Sequence, residues 1–418
     1  MQLVERHIIQ ENNAMYKEIH SECFLSKNLY NRANYLIRKA FIVSSQLKEE
    51  GQAKNAIWIR YRAIQKMLQD NKDPDYLALP AKVSQHVLKL LDKNWASFFA
   101  SIRDWKQNPS KYTGKPNLPK YKHKTNGRNV LTYTIQAISK KELKKGYVLL
   151  SGTKIKIHTL QNIAGIKQVR VIPRNKQYII EVIYNKQIEK HENIDTKKIA
   201  GGDIGLDNLI TVTSNQKVVP LLINGRPLKS INQYYNKKKA KLQSYVGDKG
   251  ISNRLIKLTN KRNNKINDAL HKSSRFVVNH LIKNGIGIFV IGKNKSWKDE
   301  INIGSKNNQA FVCIPHARFI EMLIYKCELV GITIIIREES YTSKCSFVDF
   351  EDVGKHEKYS GKRVKRGLFV SKDGIKINAD CNGSGNIIRK EFPNAFDGYG
   401  IEGVVVHPVR VHPYKLCA

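Results

Sequence analysis

The chain has 418 residues, with 73 Lys and Arg against 35 Asp and Glu, for a net charge of +38. The length exceeds what one hydrophobic core usually fills, so two to four domains are expected, and 41% hydrophobic residues exclude a disordered basic tail. Positive charge spread along the whole chain calls for a long polyanion, and a nucleic acid fits better than an anionic membrane because no apolar run of transmembrane length occurs.

The opening MQLVERHII lacks the apolar core of a secretion signal and alternates weakly, as a strand would. From about residue 15 to 102 the period becomes helical. Leu29, Leu36 and Ile37, then Ile57, Ile59, Ala63 and Ile64, then Val83, Val87, Leu90 and Leu91 recur at spacings that share a face, and the helices are expected to end before Pro109. Residues 111–195 change to Pro and Gly punctuation followed by short alternating strands. With the opening strand they predict a β-barrel, residues 1–14 and 111–195, interrupted by a helical domain, residues 15–110. From Lys197 the pattern is α/β: a strand and tight turn around GGDIGLDNLITVTSN, helices at 229–247 and 251–284, the strand IGIFVIG at 286–292, a helix near 315–330, and a strand at 331–339. A polar loop over 341–373 leads to NADCNGSGNIIRK, read as a loop entering a helix.

Acidic residues stand at the edges of these elements: Asp203 in the first hairpin, Glu338 and Glu339 at a strand end, and Asp380 before a helix. Carboxylates drawn from separate elements can hold two hard divalent cations, Mg²⁺ or Mn²⁺, for phosphodiester hydrolysis. Each has a plainer reading, as a turn residue, a solvated strand end or a helix cap. Of the glutamate pair only one should face the site, because strand side chains alternate. Asp207 reads as a turn or surface residue. Six cysteines without a Cys-x-x-Cys pair, and twelve histidines without zinc spacing, exclude a His/Cys metallohydrolase and point to a reducing cytoplasm, in a bacterium by composition. No phosphate-binding loop of the GxxxxGK[ST] type is present.

Three basic patches are candidates for nucleic-acid contact. KYKHKTNGR contributes Lys120, Lys122, Lys124 and Arg128, and the helix over 251–275 contributes Lys261, Arg262, His271 and Lys272. Near the acidic positions lie Lys344 and the run GKRVKRG, with Lys362, Arg363, Lys365 and Arg366; Tyr341, Tyr359 and Phe369 are candidates to stack on bases.

At these residues the sequence resembles the TnpB family, insertion-sequence RNA-guided nucleases related to type V CRISPR effectors. The resemblance rests on NLYNRANYLIRKAF at 28–41, GGDIGLDNLITVTSN at 201–215, HKSSRFVV at 271–278, IGKNKSWKDEINIGSKNNQAFVCIPHARF at 291–319, EESYTSKCSFVD at 338–349, GKRVKRGLF at 361–369 and NADCNGSGNI at 378–387. It implies a multidomain α/β chain with a RuvC-like (ribonuclease-H-like) nuclease domain, residues 196–340 and 374–418, and an inserted target-binding loop at 341–373. Further implications are a guide RNA from the protein's own transposon locus, a double-stranded DNA target, and catalytic roles for Asp203 and Asp380. A monomer is favoured.

Two departures from the family stand out. Its middle glutamate would follow IGIFVIG, where this chain has Gly292 and Lys293; Glu339, with Glu338 as the alternative, looks like the relocated residue. The four zinc-binding cysteines of the inserted loop are reduced to Cys345, so no zinc is expected. The alternative function is a guided DNA-binding repressor of the same fold that cuts weakly or not at all.

Overall fold

The computed structural model describes residues 1–161, 163–247, 250–294, 313–396 and 408–415. The chain forms two compact units, Met1–Lys186 and Gln187–Ala418.

In the first unit, β1 (Gln2–Ile9) is followed by α1 (Tyr16–Glu49), α2 (Tyr61–Asp70), α3 (Pro74–Leu77) and α4 (Ala81–Gln107). Then come β2 (Leu131–Thr134), α5 (Lys140–Leu143), β3 (Tyr147–Leu149), β4 (Lys156–His158), β5 (Ile166–Arg174) and β6 (Gln177–Asn185). The buried face of α1 repeats every three or four residues through Ile19, Cys23, Tyr30, Ala33 and Ile37, and it meets Val83, Val87, Leu91 and Trp95 of α4. Trp95 is fully buried, and its indole N–H is satisfied by Asn34 Oδ1 at 3.0 Å. Ile57, expected on a shared helical face, is exposed: residues 51–60 form the irregular link between α1 and α2.

Four strands make an antiparallel sheet in the order β1-β6-β5-β2, so the four helices are inserted between its two edge strands. Where a barrel is expected, the strands form this open four-stranded sheet and a two-stranded ribbon, without a continuous closing ladder among the described residues. β2 is four residues long, and the chain after it forms a separate β3–β4 ribbon, linked to the residues after β2 by the bridge Ile138–Leu150 and packed through Val148 and Ile157 into the same core as the sheet. Among the described residues no backbone ladder joins the β1 edge to the β2 edge; Thr159 and Gln161, just after β4, reach Glu5 of β1 through side-chain bonds of 3.0 and 2.9 Å.

In the second unit, β7 (Asp195–Asp203), β8 (Asn208–Ser214) and β9 (Leu221–Asn224) form an antiparallel meander. Next are α6 (Arg226–Val246), α7 (Asn253–Lys283), β10 (Ile286–Gly292), α8 (His316–Glu328) and β11 (Thr333–Arg337). The expected polar loop holds two strands, β12 (Lys362–Lys365) and β13 (Leu368–Val370), which pair with β14 (Lys376–Asn378) just beyond it in a small antiparallel sheet, before α9 (Ala379–Glu391) and β15 (Val409–Val411). Six strands lie in the order β11-β10-β7-β8-β9-β15, with β10 and β11 parallel to β7. Alternation along β10 divides the core. Phe289 and Ile291 pack with α7 and α8 on one face, while Val290 packs with Ile387 and Ile388 of α9 on the other.

Candidate nuclease site

Parallel strands β7, β10 and β11 end together, and the acidic residues gather at those ends. Asp203 is the last residue of β7, Glu339 lies two residues beyond β11, and Asp380 stands in the first turn of α9. NADCNGSGNIIRK, expected to enter its helix through a loop, is helical from Ala379: Asn378 caps it by accepting from the backbone N–H of Asp380 (3.0 Å) and Cys381 (3.3 Å). Asp380 is thus freed from the capping role it was a candidate for.

The glutamate pair is resolved by direction. Glu338 is exposed and accepts from Lys390 Nζ at 2.8 Å and from the Ser340 hydroxyl at 2.5 Å, bonds that hold its carboxyl down to about 2. Glu339 turns inward. Its Oε1 accepts from Asn294 Nδ2 at 3.1 Å, and its Oε2 is buried without a hydrogen-bond donor. Burial first and the charge of Glu338 second push this carboxyl up to about 7. Asp203 lies well above the usual carboxylate range, through burial first, then the charges of Glu339 and Asp380, with Arg363 pulling the other way. Asp203 therefore feels the charges of carboxylates brought by two other parts of the chain.

Space at the strand end is fitted to the glutamate. A Cβ at Gly292 would lie 2.6 Å from Glu339 Oε2 and 2.6 Å from Ile387 Cδ1, so the carboxylate occupies the room that a side chain on β10 would need. Gly383 in α9 is constrained likewise, a Cβ there meeting Asp203 Oδ2 at 2.8 Å. Gly292→Ala is expected to destabilise the fold by about 1–3 kcal/mol through overpacking. It should also displace Glu339, which thermal unfolding together with a cleavage assay would register.

Asp380 is engaged on both oxygens. Oδ2 accepts from Asn208 Nδ2 at 2.6 Å, and Oδ1 lies 3.6 Å from Arg363 Nη2. Accordingly, among the described residues no three His, Cys, Asp or Glu side chains are drawn together closely enough to hold an ion as they stand. Asp207 is more than a turn residue. Burial raises its carboxyl, but Lys229 at 2.8 Å and Arg366 at 2.8 Å outweigh that and hold it low.

The other basic candidates divide into exposed and committed groups. Lys120, Lys122, Lys124, Lys261, Lys344, Lys362 and Lys365 are exposed. Arg128 donates to the carbonyls of Thr125 and Gly127, and Arg262 ties Asn232 to the Cys313 carbonyl, so both are structural links. Lys272 pairs with Asp268 at 3.1 Å, and His271 lies exposed one residue earlier, its carbonyl accepting from buried Lys326. Phe369 is buried in the core and unavailable to stack, whereas Tyr341 is exposed and Tyr359 half-buried below Lys344. Cys345 is buried, its thiol directed at the Gly354 carbonyl. Asn208 and Asn294, which hold the carboxylates, carried no sequence signal, since a lone asparagine near a strand end reads as a turn.

A three-stranded meander extended by two parallel strands, with carboxylates at their common end, has the strand order of a ribonuclease-H-like, RuvC-like fold, accompanied by further α/β and helical regions. Residues 180–298 match the OrfB_IS605 family, described as a probable transposase, and residues 316–387 match the Cas12f1-like TNB domain. Over these segments the chain is homologous to TnpB- and Cas12f-like RNA-guided nucleases. No curated protein matches it. Among solved structures it is similar to a Cas12f1–sgRNA–target DNA complex, with 15% identity over 93% of this chain and 100% of that one and a TM-score of 0.37. It is also similar to the mini-RNA-guided endonuclease CRISPR-Cas_phi3, with 8% identity over 93% and 92% and a TM-score of 0.44. A third is Alicyclobacillus acidoterrestris C2c1 with single-guide RNA, with 8% identity over 90% and 69% and a TM-score of 0.36. No described helix is long and apolar enough to cross a membrane.

Proposed function

We propose that the chain is an RNA-guided DNA endonuclease of an insertion sequence, with Asp203, Glu339 and Asp380 as its catalytic carboxylates and Glu339 as a relocated middle ligand. The observation that carries this reading is the inward Glu339 carboxylate lying over Gly292, charged against Asp203, while Glu338 faces solvent. The donor set suits hard divalent cations: all are carboxylate oxygens, like charges are crowded, and Glu339 Oε2 is buried without a donor. Bound Mg²⁺ or Mn²⁺ would supply a readily deprotonated water and neutralise charge at the phosphodiester. The chain's own part is positional. Asn294 fixes the Glu339 carboxylate, Asn208 orients Asp380, and the rigid ends of β7 and β10 set the spacing. Residues 1–14 with 111–195, and 15–110, would bind guide and target, and exposed Lys362 and Lys365 would hold a DNA backbone near the site.

One observation favours a second reading, a guided repressor. Arg363 sits against Asp380 and offsets the charge that a cation would otherwise need to neutralise. The separating experiment purifies the full chain with RNA from its own locus and offers a guide-matched plasmid target beside a randomised flank, in Mg²⁺ and in EDTA. Expected are a defined structured RNA bound to the protein and cleavage only with Mg²⁺. Guided binding without any cleavage would select the repressor, and recovery of random cellular fragments alone would remove the guided reading.

A further inference from the structure

The N-terminal unit holds a cavity of about 680 Å³ that the nuclease chemistry does not use. Three rings line it, those of Tyr16, His20 and Tyr178. The Tyr16 and His20 rings stack with centroids 5.7 Å apart and planes at 20°, and Tyr178 tilts against Tyr16 at 5.3 Å. Beside the rings is the β5–β6 turn, where Asn175 and Lys176 take positive φ of 49° and 56° and define a tight hairpin. Arg174 and Lys176 stand exposed on that turn, and Arg128, Asn126 and Glu11 complete the lining.

The polar groups are oriented as a chain. Arg128 donates to Nε2 of His20, and a nitrogen accepting from a guanidinium cannot carry the ring proton. Burial, and then the Arg128 charge, hold His20 below its ordinary pKa, so the neutral ring bears its proton on Nδ1. Nδ1 lies 2.8 Å from the Tyr178 hydroxyl oxygen and donates to it. Tyr178 is 2% exposed, and its hydroxyl is held between His20 and Arg128 at the cavity wall.

Flat rings, a buried hydroxyl donor and two cations on a fixed turn match a planar heterocycle that carries a phosphate, and the volume lies within the usual range for small-ligand sites. We propose that this cavity seats one unstacked nucleotide of a single-stranded nucleic acid, its base against Tyr16 and His20, an acceptor atom on the Tyr178 hydroxyl, and its phosphate on Arg174 and Lys176. Glu11 repels phosphate from its own side and accepts from a base amino or ribose hydroxyl group. The same chemistry is offered by a guide RNA and by a displaced DNA strand. The inference rests on the reading of the chain as a nucleic-acid binder and is independent of the carboxylate site.

The test uses the full chain in EDTA with excess unlabelled duplex to occupy its surface charge. Hexanucleotides carrying one 5-bromouracil, as RNA and as DNA, are photo-crosslinked, and the adducts are mapped by mass spectrometry. Adducts on the peptides bearing Tyr16 and His20 or Tyr178 are expected, with the preferred arm naming the source strand. Tyr16→Leu, and separately the double change Arg174→Ala with Lys176→Ala at exposed positions, should each lower the yield about tenfold, the scale of one lost base–aromatic stack or its anchoring. Circular dichroism would verify folding. Adducts confined to the lysine-rich helices of the other unit, or unchanged yield in both folded variants, would overturn the proposal. Loss of guided cleavage elsewhere in the protein would not alter this map, so the two readings fail separately.

Discussion

Glu339→Gln is expected to cut the single-turnover cleavage rate by at least about two powers of ten while leaving RNA loading and guided DNA binding intact. The amide has the same shape, and it can still receive the bond from Asn294, but it removes a charge from the oxygens that face Asp203. Asp203→Asn and Asp380→Asn should behave alike. Glu338→Gln should change the rate by a few-fold at most, because Glu338 is exposed and its pairing with Lys390 is a surface interaction worth about 0–1 kcal/mol. The measurement is cleavage by all four variants at matched RNA loading. Full activity of Glu339→Gln would sink the three-carboxylate site, and inactivity of Glu338→Gln alone would shift the ligand by one residue.

The α/β half of the chain was legible because its signals are local. A buried central strand such as IGIFVIG is a continuous apolar run bounded by glycines, and its expected limits, 286–292, are those of β10. Alternation likewise anticipated that only one of Glu338 and Glu339 faces inward, but it could not say which. That choice depends on Asn294 and on the empty side of Gly292, partners 45 and 47 residues away in sequence. Helical period misled at Ile57, where apolar residues in a link happen to match the spacing of α1 and α2. It also failed for NADCNGSGN. Glycine-rich sequence reads as a loop, whereas in α9 Gly383 is where a Cβ would meet the Asp203 carboxylate, so tertiary fit overrides propensity there.

The basic hairpin shows a different limit. GKRVKRG was readable as a cationic run near the acidic residues, yet charge counting could not reveal that Arg363 pairs with Asp380 and Arg366 with Asp207. Nor could it separate Phe369, which anchors the small β12–β14 sheet from below, from the neighbouring aromatic residues that remain at the surface.

Crowded carboxylates also have a price in the metal-free protein. Asp203 is raised well above its ordinary range and Glu339 to about 7, so between roughly pH 4, the ordinary carboxyl value, and those raised values the folded chain binds more protons than the unfolded chain. Stability from this pair is therefore greatest at low pH within that window and falls as pH rises through it. Asp203→Asn removes the most confined carboxyl, the one raised by burial and by the charges of Glu339 and Asp380. The melting temperature of the metal-free variant at neutral pH should accordingly exceed that of the unaltered protein by about 3 °C, the effect of roughly 1 kcal/mol in a domain of this size. The difference should shrink as pH is lowered toward about 4. Mg²⁺ should act in the opposite sense, raising the melting temperature of the unaltered protein by mass action and that of Asp203→Asn much less. Differential scanning calorimetry in EDTA and in Mg²⁺, across pH, provides the check. A variant less stable than the unaltered protein in EDTA, or equal Mg²⁺ shifts in both, would mean that Asp203 is held by partners other than a cation, and the carboxylate cluster would lose its function as a metal site.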